Sequence, residues 1–411
     1  MKPRVYTGIA LRESPFFLAN IQGPRHWDPM SFLHTFMTDL RVSRAPAAGF
    51  IVVGLYWGSF AGLVPDLKAA IGASDGTFGL TMFFAALGAL AAMWLAPRVD
   101  TKLGARALQG CAIALGCAFL LPGLASGPIA FTGAILLASA GSGSLDVIMN
   151  TRVSALEAAS KRSLMNLNHA LFSFAYAGAA VSAGFFREAG FGPLTVFAFV
   201  LVLNILLLKA MYQDAAVLED DVTVGPSRLS KPLIWLGGII ILIAFMSEQA
   251  TEAWSALHLE RGLGGSAAQG ALGPAILGLT MGVGRLSGQF ISAHVRETYV
   301  LQVAGVIAAL GLMIAASAPS LSVAYVGFAT LGLGVSVMAP MAYSAVGKRV
   351  NNQQRAVIIT RISVIGYMGF FIGPPLMGSL SEAFGLSISF YTIGVILLLV
   401  SVLLAPQLRK Q

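Results

Sequence analysis

Apolar runs of eighteen or more residues, separated by short stretches of Gly, Pro and charge, recur from Phe50 almost to the C-terminus of this 411-residue chain. A helix rises 1.5 Å per residue, so each run is long enough to cross about 30 Å of bilayer hydrocarbon. The punctuation predicts spans near residues 48–64, 77–95, 105–123, 128–149, 165–185 and 193–211, then 233–255, 269–291, 299–316, 321–343, 357–379 and 386–405. A polar stretch from Gln213 to Lys231, holding Glu219, Asp220 and Asp221, divides six spans from six. The pattern therefore predicts an all-α polytopic membrane protein of twelve transmembrane helices. Its parts are an N-terminal tail (1–43), a six-helix bundle (44–212), a linker (213–231), a second six-helix bundle (232–406) and a C-terminal tail (407–411).

The two sets of six also repeat one another. Gly141 and Gly143 precede Tyr176 and Gly178 as Gly332 and Gly334 precede Tyr367 and Gly369, at a common offset of 191 residues. The run from Ala85 to Gly88 recurs from Ala275 to Gly278. Such parallel repeats predict two pseudo-symmetric bundles about an axis along the membrane normal.

Composition agrees: 56% of residues are hydrophobic and 11% charged, against about a quarter charged in soluble domains. The net charge of +8 belongs to topology. If both termini are cytoplasmic, only Lys68, Arg187 and Arg261 of the 26 basic residues lie outside, as the positive-inside bias requires. No basic stripe with interleaved aromatics points to nucleic acid. Residues 1–43 lack the apolar core of a secretory signal and read as a cytosolic tail, with Met37 a second candidate start. Cys111 and Cys117 lie in one apolar span without neighbouring ligands, so neither a disulfide nor a metal is expected. No Walker or zinc-protease motif occurs, which predicts no enzyme, no cofactor and no ATP-driven transport.

The 6+6 organisation resembles the major facilitator superfamily, whose signature between spans two and three is matched in part by Asp100, Lys102, Gly104 and Arg106. Asp146 and Asn150, followed by Glu157, His169 and Ser173, and the segment from Glu248 to Trp254 are similar to a YbjJ-type bacterial branch related to the fucose permease group. That resemblance implies a monomeric inner-membrane secondary transporter, with both termini cytoplasmic and the bilayer, a small solute and a proton as partners.

An ionisable group in hydrocarbon costs at least about 2.5 kcal/mol, so such groups mark candidate sites. Asp146 and Asn150 share one helix face at i and i+4 and form the leading proton-coupling site. His169, one turn into span five, reads as a proton relay, a gate or a helix cap. Glu248 is the second coupling or substrate candidate, with Glu252 assigned to the water boundary and Trp254 to the aromatic belt. Arg361 either meets an anionic solute or snorkels to the surface. Tyr56, Trp57, Ser173, Tyr176, Tyr343 and Tyr367 are expected to line the cavity, while Asp100, Lys102, Arg106 and Arg285 are expected to latch the cytoplasmic side. The leading reading is proton-coupled uptake of a small polar solute, a sugar or a carboxylate, by alternating access. Proton-driven export of a metabolite or drug is an alternative, and a non-transporting receptor or scaffold is one of another class.

Overall fold

The computed structural model describes residues 29–213 and 230–410. The predicted tail over 1–28 and the linker acids Glu219, Asp220 and Asp221 lie outside the described residues. Within them the backbone is helical and no strand occurs, as hydrocarbon demands of a chain that must satisfy its own N–H and C=O groups. After a short α1 (Pro29–Val42), the first six crossings are α2 (Arg44–Ala70), α3 (Asp75–Leu103), α4 (Ala107–Leu120), α5 (Pro128–Ser160), α6 (Met165–Glu188) and α7 (Pro193–Leu207). The last six are α8 (Lys231–Leu257), α9 (Ala267–His294), α10 (Glu297–Ala316), α11 (Leu321–Gly347), α12 (Asn352–Phe384) and α13 (Leu386–Leu399), which a π-helical turn joins to α14 (Ala405–Lys410).

Ten described segments are long and apolar enough to cross a membrane. One of them, Asp75–Leu124, runs for 50 residues and turns at Gly104, whose φ of 54° suits a residue without a Cβ, so it holds two crossings. The 28-residue α9 is the twelfth. An even number of crossings brings both described ends of the chain to one face, called here the terminal face.

Two seams join the first six helices to the last six: α3 against α12 and α6 against α9. Under the 191-residue repeat these seams exchange, since α3 corresponds to α9 and α6 to α12. Small residues make both possible. A Cβ on Gly79 would lie 2.5 Å from the Pro374 carbonyl, one on Gly378 would lie 2.5 Å from the Asp75 carbonyl, and one on Gly184 would lie 2.6 Å from the Ala271 Cβ. Backbones this close leave no room for a side chain, as at tightly packed membrane helices generally.

Candidate functional site: a central cavity closed toward one face

Between the two sets of helices lies a cavity of about 740 Å³. Its walls run from Met82, Glu252 and Pro374, which lie seven to ten residues of helix from the opposite face, to Thr151, Asn166 and Tyr343 near the terminal face. Asp146, Asn150, His169 and Glu248, the four leading candidates, all line it. Asn150 donates to the Asp146 carboxylate at 3.0 Å and to the Asp146 backbone carbonyl at 2.8 Å, so the pair sits on one face of α5 as its spacing requires. The His169 ring packs edge-on against Phe50 at 4.8 Å. Trp57, Tyr343 and Tyr367 also line the cavity. The Trp57 indole donates to Ser142 at 2.9 Å, and the Tyr343 hydroxyl lies 3.0 Å from that of Ser363.

Several expectations change. Arg285 belongs to the cavity wall, where it donates to Ser173 Oγ at 2.6 Å and pairs with Glu248 at 3.2 Å. This joins α6 and α8 through a residue of α9, and nine residues separate Arg285 from the end of its helix at His294, about 13 Å of rise. That depth rules out a surface latch. Glu252 lines the cavity rather than the water boundary, because α8 continues beyond it into a π-helical turn ending at Gly262. For the same reason Trp254 is not a lipid-facing belt residue: it is fully buried, edge-on to Phe78 at 5.7 Å.

Tyr56 lies outside the lining, buried among the first six helices with its ring stacked on Phe119 at 4.9 Å and its hydroxyl 3.4 Å from Asn204. Tyr176 packs behind the wall against Phe172 and Gly278. Its repeat counterpart Tyr367 faces the cavity, so the two do not play matching parts. Ser173 reaches the site only through Arg285. Arg361 is exposed on α12, away from the lining. Asp100 pairs with Arg152 at 2.7 Å, within the first six helices, and Lys102 and Arg106 are exposed, so this group forms no link between the halves among the described residues.

Further links between the halves lie at the opposite face, where Arg187 and Arg261, two of the three basic residues that charge bias sets apart, reach across and Lys68 supports Asp75 from within the first six helices. Arg187, on α6, contacts Asp66 of α2 and Glu260 beyond α8, each at 2.6 Å. Asp75, at the start of α3, accepts from Arg261 at 3.0 Å and from Ser381 of α12 at 2.5 Å, and pairs with Lys68 at 3.0 Å. Two helix N-termini are capped across the seams. Glu382, near the end of α12, accepts from Ser74 Oγ at 2.7 Å and Gly76 N at 2.6 Å ahead of α3. Glu188, at the end of α6, accepts from Ser266 Oγ and, at 3.2 Å, from Ala268 N ahead of α9. A carboxylate at a helix N-terminus meets free N–H groups and the positive end of the dipole, and the repeat places the same device at both seams. Sequence reading missed these acids, although their signal was present: Asp66, Lys68 and Asp75 cluster around one short connector.

Twelve crossings in two pseudo-equivalent sets, around a cavity walled toward one face, define a polytopic transporter fold. The Major Facilitator Superfamily profile matches residues 47–359 and 238–411, and the chain belongs to that superfamily of membrane transporters. An uncharacterised MFS-type transporter of Yersinia pestis is 31% identical over 360 residues, which cover 86% of this chain and 92% of that protein. A bacterial homologue of the human lysosomal transporter Spinster, in an inward-facing and unoccupied conformation, superposes with a TM-score of 0.70 at 16% identity, covering 90% of this chain and 97% of that one. A D-xylose-proton symporter gives 0.66 at 14% identity over 90% and 97% of the two chains. The two structural likenesses show the fold alone.

Proposed function

We propose that this transporter carries a small polar organic solute into the cell together with a proton, by rocking residues 44–212 against residues 232–406. The observation that carries the reading is Asp146: a carboxylate in the wall of the cavity whose hydrogen-bond partner is Asn150 and which has no cation beside it among the described residues. An acid so placed can take up and release a proton as the cavity is exposed first to one side and then to the other. The excess of basic residues at the terminal face supports a cytoplasmic position for it, and on that reading the structure is the state open inward. The resemblance of Asp146, Asn150 and the segment from Glu248 to Trp254 to the YbjJ-type branch supports proton-coupled uptake.

The test uses proteoliposomes holding a pH-sensitive dye, challenged in turn with sugars, carboxylates, amines and amino acids. A transported solute drives protons inward, and the Asp146→Asn protein exchanges that solute without responding to an imposed pH gradient. Unchanged pH dependence in that variant removes Asp146 from the coupling. Met82, Met93, Met149 and Met165 in the same walls favour a second reading, export of an adaptable range of more apolar solutes, since methionine packs against varied shapes. Opposite direction of flux under the same gradient identifies it.

A further inference from the structure

The ionisable side chains lining the cavity are Asp146, His169, Glu248, Glu252 and Arg285, with Tyr343 and Tyr367 as the phenols. Acid outnumbers base, and the guanidinium is already engaged, by Glu248 and by Ser173. An anionic solute would have to break that pair and then face two further carboxylates. Glu252 has no hydrogen-bond or ion-pair partner among the described residues, although it lines an internal cavity ten residues before the end of its helical segment at Gly262 in a membrane protein. A carboxylate left without a partner in such a place is costly unless a ligand supplies one.

A second, independent feature lies two helical turns away, about 10 Å along α8. Phe245 of α8 and Tyr367 and Phe370 of α12 form a closed trio in the cavity wall, with ring centroids 4.9 Å apart for Phe245 and Phe370, 5.8 Å for Phe245 and Tyr367, and 5.9 Å for Tyr367 and Phe370. Phe245, Glu248 and Glu252 stand at i, i+3 and i+7 of α8, so the trio and the free acid share one helix face. Aromatic faces attract cations through their quadrupole, and aromatic walls combined with carboxylate are the chemistry that recognises a substituted ammonium.

We infer that the cavity of this transporter selects organic ammonium ions, with Glu252 taking the charged nitrogen and the Phe245, Tyr367 and Phe370 rings taking the adjoining carbon frame. The inference rests on the transport reading above and narrows its solute class away from carboxylates. It assigns Glu252 to the solute and leaves Asp146 to the proton.

Thermal unfolding of the purified protein in nanodiscs, against two matched trios of compounds, tests it without any flux measurement: glucosamine, glucose and glucuronate, and phenethylamine, phenylethanol and phenylacetate. The amine of at least one trio raises the midpoint saturably, as a ligand that binds only the folded protein must, and its neutral and acidic partners do not. Glu252→Gln lowers the affinity for that amine at least tenfold, and Phe370→Leu lowers it severalfold. The aromatic variant decides the matter if the glutamine variant does not fold. The inference is overturned if neither amine shifts the midpoint, if a neutral or acidic partner does so as strongly, or if both variants bind the amine as the parent does. Amines that bind yet drive no proton flux in the liposome assay would instead overturn the transport reading and leave the ligand class standing. Carboxylates that bind and move would do the reverse.

Discussion

The two faces of the bundle use the same side chains to opposite ends. At the terminal face every described ion pair stays within one set of six crossings or its flank: Asp100 with Arg152, Asp39 with Arg162, and Glu297 with Lys348. At the other face Arg187, Arg261, Glu188 and Glu382 each tie the first set to the second. The cavity opens away from these ties and ends well short of them, since Met82 is seven residues along α3 from Asp75, about 10 Å. Pairs within a half hold a rigid body together whichever way the protein faces. Pairs between halves hold one conformation and must part for the cavity to open on that side.

Matched substitutions at Arg187 and Arg152 separate the two roles by the largest margin. Arg187 is only 5% exposed and serves two carboxylates; Arg152 is 1% exposed and serves Asp100 together with the Gly104 and Gln213 carbonyls. Removing one partner of a buried pair costs about 3–5 kcal/mol. Arg187→Met is expected to spend that loss on opening the tied face, shifting the conformational equilibrium by at least a hundredfold, whereas Arg152→Met lowers the unfolding midpoint and leaves the equilibrium where it was. Distances by double electron–electron resonance between spin labels at Ala70 and Ser320, in a Cys111→Ala, Cys117→Ala background, read the first effect, and thermal unfolding reads the second.

Gly378→Ala comes next. Its new Cβ would meet the Asp75 carbonyl at 2.5 Å, so α3 and α12 must separate at about 1–3 kcal/mol, lengthening the same label distance with every ion-pair residue intact. The smallest effect is expected from Arg261→Gln. Arg261 is 45% exposed, and pairs of that kind contribute about 0–1 kcal/mol; Lys68 and Ser381 remain on Asp75. A change as large as that of Arg187→Met would show the tied face to be one cooperative network instead of a strong centre with a weak rim.

Much of this arrangement is legible in the chain. Run lengths and Gly/Pro punctuation yield the crossings because backbone in hydrocarbon has few alternatives, and the spacing of Asp146 and Asn150 is itself their geometry. The scarcity of basic residues in the connectors of that face singles out Lys68, Arg187 and Arg261, three of the cations at the tied face. What periodicity does not carry is the meeting of distant helices. Glu248 and Arg285 are separated by 37 residues, and Asp75 and Ser381 by 306; neither pairing leaves a local pattern. Hydropathy sets Arg285, Glu252 and Trp254 at the surface because it reports where a helix leaves the membrane only to within a turn or two, while α8 and α9 run on past the apolar stretch. Tyr56 and Tyr176 show the matching error of rotation: a tyrosine on a cavity-lining helix can equally face its neighbours.

The most direct test of alternation between the two faces compares two label pairs in nanodiscs, Ala70 with Ser320 across the tied face and Leu103 with Val295 across the terminal face, in the parent and in Arg187→Met. Alternation gives a short distance across the tied face and a long one across the terminal face in the parent, and an exchange of the two in the variant. A tied face that opens while the terminal face stays open, or distances that do not respond to loss of Arg187, would contradict it.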